Sequence, residues 1–205
     1  MGLRLFSAAG SEPITLAQLK SQCRVDTSDE DAVLTLAIQA ARAKAENYTG
    51  TAIISQVWEQ TIDSFPEAEI ELLKPPVSAV NAVTYVDAAG ATQTLAGASY
   101  TLDTTTFPGW LLPAYGTEWP DTRDQANAVT IRFTTGYADA AAVPGDMRAW
   151  LLLTAAFIYA QREVMVLGGK VAEIPARFHL LPPTPHLPSG RGTPRHRRRS
   201  ACPHE

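Results

Sequence analysis

The side chains best equipped for chemistry crowd into one end of this chain. His179, His186, His196, His204 and Cys202 all fall within residues 177–205. Imidazoles and a thiolate can chelate a metal, but zinc sites draw ligands from short, fixed pairs. The spacing here fits no such pattern, and prolines interrupt it. Arg195, Arg197, Arg198 and Arg199 lie in the same stretch. They could engage DNA phosphates or an acidic protein patch, though no aromatic is interleaved for base stacking. A solvated end is the simpler account of such a charge run. The remainder of the chain has no histidine and one cysteine, Cys23. A cysteine nucleophile needs a base, so Cys23 reads as a small apolar filler on a helix. Asp29, Glu30 and Asp31 lack the Asp/Asn-Gly and distal Glu of a calcium loop, and suit the positive end of a helix dipole. Glu67, Glu69 and Glu71 alternate and would share one strand face. Paired carboxylates serve glycosidases, but three on one exposed face read as a solvated edge that discourages strand pairing. Four tryptophans remain. Trp58 falls in a strand and Trp150 on an apolar helix. Trp110 and Trp119 fall in a loop, where they either anchor a protein partner or cover a β core. The residues thus assign no catalytic group, no cofactor and no metal.

The charge balance separates two segments. Residues 1–176 hold 11 basic and 20 acidic side chains, whereas 177–205 hold 6 and 1. The first is predicted to be one folded domain and the second a disordered Pro/Arg/His tail. An acidic body with scattered cations is not equipped to grip DNA. Hydrophobic content of 45% and charged content of 19% fit a globular protein with a real core. The longest apolar run, 149–160, is too short to cross a bilayer. The N-terminus lacks the apolar region of a signal peptide, and two distant cysteines make no disulfide framework, so a reducing cytoplasmic setting is expected.

The elements that must position these groups are legible from their periods. Thr15 and Gln18 form a capping box with Ile14 and Leu19 as its hydrophobic staple, predicting a short helix to about Cys23. Thr27 or Ser28 is expected to cap a long helix near 29–49, stopped by Gly50. Val33, Leu36, Ala37, Ala40 and Ala41 form one apolar stripe, and Leu34, Ile38, Ala41, Ala45 and Tyr48 another, so more than one face should be covered. Strands are expected at 53–65, 69–73, 80–86, 92–95, 100–103 and 129–135, with a hairpin turn at 87–90 and a loop at 107–124. A last helix is expected near 144–166, apolar nearly all round over 149–160 and so covered by its own domain or by another subunit. Trp150, Leu151, Leu152, Phe157 and Tyr159 are its candidate core or subunit contacts. The fold class is therefore α+β: a small helical bundle with a β-rich insertion at about 51–137, between the long helix and the last one.

The order of segments carries a resemblance. EPITLAQLKSQCRVD, an alanine-rich helix ending AENYTG, then KPPVSAVNAVTYVD, ASYTLD and VTIRFTTGYADAAAVPGDMRAWLLLTAAFIYAQRE resembles the head–tail connector, or head-completion adaptor, proteins of tailed phages and prophages. That resemblance implies a non-enzymatic virion protein, made in the bacterial cytoplasm and placed at the head–tail junction. It implies a dodecamer-like ring below the portal protein that extends the DNA channel and docks stopper or tail-completion proteins, with DNA passing through unbound. The family-like ending stops after VAEIP, so the tail from about Ala176 reads as out-of-frame or remodelled sequence. Two other readings remain: a small enzyme or binding module with its site in the β region, or a DNA-binding protein acting through the arginine-rich tail.

Overall fold

Thr15 begins the first helix by accepting a hydrogen bond from the Gln18 amide (3.2 Å), while the Gln18 side chain accepts one from the Thr15 amide (2.8 Å). Each partner satisfies an amide the helix cannot satisfy itself. The computed structural model describes residues 1–161, and the last helix extends as far as Ala160 within them. Expectations for residues 162–205, including the end of that helix and the tail, lie outside the described residues. The order is β1 (Gly2–Ser7), α1 (Leu16–Cys23), α2 (Asp31–Thr49), β2 (Gln56–Ile62), β3 (Ile70–Leu72), β4 (Val77–Val86), β5 (Thr92–Leu95), β6 (Tyr100–Asp103), β7 (Gly109–Pro113), β8 (Val129–Thr135) and α3 (Gly145–Ala160).

The class is α+β with antiparallel sheets. Helices α1, α2 and α3 pack on one another around Ile14, Leu19, Leu34, Ile38, Ala41, Met147 and Leu151. A five-stranded sheet, β1-β2-β8-β4-β5, and a three-stranded sheet, β3-β7-β6, share a second core of Val83, Leu72, Leu111, Ile131 and Phe133. Strand β8 is central and alternates strictly. Val129, Ile131 and Phe133 enter this core opposite Ile62, Gln60 and Trp58 of β2, while Arg132 faces outward opposite Glu59. Each fully buried Leu, Ile or Phe contributes about 1.5–3 kcal/mol before entropy is counted. Gln60 is buried among them because its amide replaces a strand. It donates to the Glu71 carbonyl (2.8 Å) and accepts from the Leu73 amide (3.0 Å), stitching the two sheets together.

Several expectations are corrected. The β region is not purely an insertion, because β1 comes from the N-terminus and pairs along β2. Its short apolar run ahead of a Gly-Ser turn concealed a strand that exists only through that pairing. The segment 107–124 is not all loop: β7 occupies part of it, held between β3 and β6. The first predicted strand starts later, at Gln56, because Ala52, Ile53 and Ile54 belong to the passage between layers. Glu67 and Glu69 precede β3 and only Glu71 lies on it, so the three carboxylates share no strand face. Neither Thr27 nor Ser28 caps α2. Its N-cap is Glu30, whose side chain makes no capping bond. Asp31 is instead paired with Lys20 of α1 (2.6 Å) and Glu30 accepts from the Tyr159 hydroxyl of α3, so tertiary partners displace the local cap. Gly50 does end α2 in the left-handed conformation, with its amide on the Glu46 carbonyl (3.0 Å).

Candidate functional site

Most residues singled out for chemistry are held in structural roles. Cys23 closes α1 and packs against the helical core, and burial raises its thiol pKa, which disfavours the nucleophilic thiolate. Among the described residues no group of three or more His, Cys, Asp or Glu side chains is placed to hold a metal. The four histidines, Cys202 and the arginine run lie outside the described residues. Trp58 packs against the β core with the Lys74 ammonium 5.4 Å from its ring centre. Trp110 is on strand β7, not in a loop, and sits half-buried opposite Glu71 and Asp103. Trp119 stacks on Phe65 with ring centres 4.9 Å apart and donates its indole N–H to the Ala68 carbonyl (2.8 Å). It is half-buried, and the pair borders an open crevice of about 530 Å³ rimmed by Glu67, Glu118 and Asp121.

Four of the segments quoted for their order meet at one place, the joint between the helical and β layers. Glu46, from AENYTG, is on the inner face of α2. One of its oxygens accepts from the Ile53 amide (2.9 Å) and the Gln56 side chain (2.8 Å). The other accepts from Arg42 (3.3 Å), which also forms a two-pronged pair with Glu12 (2.8 and 3.1 Å). The hydrogen bond to Glu12, helped by both carboxylate charges, raises the Arg42 pKa despite its burial. From KPPV, the carbonyls of Lys74 and Pro76 flank the buried Thr135 hydroxyl, with Pro76 accepting at 2.7 Å. From TTGY, Gly136 has φ +95° and donates its amide to the Pro76 carbonyl (2.8 Å). A methyl group at Gly136 would overlap the Ile54 backbone, so both conformation and close approach require glycine. Tyr137 then bridges to Ile54, exchanging backbone hydrogen bonds with Ile53 and Ser55. These motifs fix the angle between two layers.

A second polar device crosses the outer sheet face. Arg4, Glu59 and Arg132 lie in register on β1, β2 and β8. Glu59 is almost fully buried, with Arg4 Nε at 2.6 Å and Arg132 Nε at 2.9 Å. Phe6 covers the Arg132 guanidinium at 3.7 Å. Burial alone would raise the Glu59 pKa, but the two arginines outweigh it and the net shift is downward. Sequence reasoning missed Glu12, Arg42, Glu46 and Glu59. The available signal was phase: Glu46 follows Ala45 on the buried stripe of α2, and Glu59 sits between alternating core positions of a strand.

The helical layer exposes large apolar side chains. On α2, Leu36 is 65% and Val33 47% exposed; on α3, Leu153 is 54% and Phe157 42%. Leu151 is buried in the helical core, whereas Trp150, Leu152 and Tyr159 are half-buried against it. Phe157 is therefore a surface side chain. The first stripe read on α2 points outward at Val33 and Leu36 but is buried at Ala37 and Ala41, and the second faces the core along Leu34, Ile38, Ala41 and Ala45 but is exposed at Tyr48.

A jointed pair of layers, stiffened by buried ion pairs and leaving helical apolar surface bare, is the construction of a structural assembly protein. Residues 13–107 match the family described as phage gp6-like head-tail connector protein. A chain in the neck of an empty gene transfer agent particle, computed with six-fold symmetry, superposes with a TM-score of 0.68 at 28% identity, covering 83% of this chain and 90% of that one. A chain in the virion of a native gene transfer agent particle gives 0.68 at 27% identity, covering 82% and 89%. A chain in the neck of the native particle, computed with twelve-fold symmetry, gives 0.62 at 26% identity, covering 82% and 88%. No curated protein sequence matches the chain. Over residues 13–107 the chain is similar to the gp6-like head–tail connector family, and over most of its length it is similar to neck chains of gene transfer agent particles.

Proposed function

We propose that this protein is the subunit of a ring at the head–tail junction of a virion. The ring sits below the portal protein, lengthens the DNA channel and offers a docking surface to a stopper or tail-completion protein. The observation that carries this reading is the superposition on neck chains over more than four-fifths of both partners, 83% and 90% for the first and 82% and 88% for the second. The charge pattern supports it. Residues 1–161 hold 18 acidic and 9 basic side chains, so a channel built from them repels a polyanion and lets it slide. Its role is mechanical, in keeping with the connector family. The helices form a bundle whose outward faces meet neighbouring copies, and the β layer is turned toward other neck proteins. Removing the gene should leave heads and tails that accumulate separately, with joining restored by the gene supplied in trans. Normal particles in its absence would contradict the reading.

A further inference from the structure

The solvent side of the helical layer lacks the charge that a surface helix ordinarily presents. On α3 the inward face is Met147, Leu151, Thr154 and Ala155. The opposite face carries Ala149, Leu153, Ala156 and Ala160, with Phe157 beside Leu153, and residues 149–160 contain no charged side chain. On α2 the face opposite the core carries Leu36, Ala40, Ala43 and Asn47. Both stripes step by four, three and four residues, the spacing of a helix–helix seam. In each, large side chains (Leu36; Leu153 and Phe157) stand among alanines that leave room for a knob from a facing helix.

We propose that the outward face of α2 on one copy packs against the outward face of α3 on the next. The proposal rests on the ring reading above and names its contact. The occupant is a second copy of this chain for three reasons. The two faces lie on different helices of one subunit, so their pairing is head-to-tail and propagates around a ring. Their charges match: exposed Lys44 flanks the α2 stripe and exposed Asp146 begins the α3 stripe. Their spacing also agrees. In an antiparallel arrangement Leu36 meets Leu153 when Lys44 meets Asp146, because the two separations along the helix axes are about 12 and 11 Å. A contact about 24 Å long and one helix wide falls well below the roughly 800 Å² per partner of a stable pair. An isolated pair is therefore weak, and the contact persists only where every subunit makes it on both sides.

The test uses the full chain with Cys23→Ser and Cys202→Ser as background. Oxidising a mixture of Leu36→Cys and Leu153→Cys proteins, at high concentration and in assembled particles, should give a cross-linked heterodimer. Neither variant alone should cross-link, and the double variant should give a ladder of multimers. Lys44→Asp and Asp146→Lys should each lower the yield several-fold, and combining them should restore it. Homodimers from either single variant would overturn the proposal in favour of a two-fold contact. Thiols at 36 and 153 shielded from maleimide in the dilute monomer would overturn it in favour of cover by the chain's own later residues. Rings seen by electron microscopy without the cross-link would sink this contact and leave the ring reading standing. Absence of both rings and cross-links, in solution and in particles, would sink both.

Discussion

The outward face of the central β strands is closed by charged and polar side chains, and the outward face of the helices is not. In the β layer two sheets bury Phe133, Ile131 and Leu111 between them, and the outward side of β2 and β8 ends in Thr61, Thr130 and the Arg4–Glu59–Arg132 ladder. In the helical layer Leu34, Ile38 and Leu151 are as well buried, yet the outward side repeats the apolar pattern through Leu36, Leu153 and Phe157. The same chain therefore treats surplus apolar surface in two ways. On the outward side of β2 and β8 it is closed by charge, and on the outward side of α2 and α3 it is left bare. Between the layers a polar joint keeps the bare faces at a fixed angle.

Substitutions that separate joint, core and outward face should fall into distinct ranks. The largest loss is expected at Gly136→Ala, where a left-handed backbone and an overlap with Ile54 combine. The cost is about 3–5 kcal/mol, read as a thermal midpoint lowered by roughly 10 °C or as insoluble protein. A midpoint within 2 °C of wild type would mean that the joint is slack. Leu151→Ala should cost about 2–5 kcal/mol in denaturant melts, because it opens a cavity in the helical core. The contrast with Leu153→Ala, two residues on, decides the comparison: that change should stay within about 0.5 kcal/mol as a surface substitution. Glu46→Gln should cost about 1–3 kcal/mol, since it weakens a charge-assisted bond to a half-buried Arg42 while leaving the amide contacts possible.

Acid should act on the β layer through Glu59. Its folded pKa lies below the ordinary value of 4.5 because of Arg132 and Arg4. Its contribution is thus present above about pH 4.5 and is lost as pH falls through the lowered value. The stability gap between wild type and Glu59→Gln should accordingly be widest near neutral pH and close as pH falls through that lowered value. A gap that widened in acid would reverse the assignment. The smallest effect on stability is expected from Phe157→Asp, which should fold normally and fail to assemble. Misfolding of this variant would show that α3 hides that face within its own chain.

Local signals revealed the elements that stand on their own chemistry. The Thr15–Gln18 capping box, the Gly50 stop and the alternation of β8 were all readable from neighbours in sequence. The Asp87 turn was too, where the carboxylate accepts from the Ala89 and Ala91 amides. What escaped depends on distant partners. Strand β1 exists because β2 offers an edge, and β7 because β3 and β6 flank it. The α2 cap fails because Lys20 and Tyr159 claim Asp31 and Glu30. Two stripes on α2 were visible, but the sequence could not say that Leu34 faces its own core while Leu36 faces out. That distinction depends on where α1 and α3 pack.

The most direct measurement is a reconstruction, by electron cryo-microscopy, of the neck of particles that carry this protein. The account predicts a closed ring of this chain, with Leu36 of each copy against Leu153 and Phe157 of the next and the β layers turned toward other neck proteins. A neck without this chain, or a ring in which the outward faces of α2 and α3 are bathed in solvent, would contradict it.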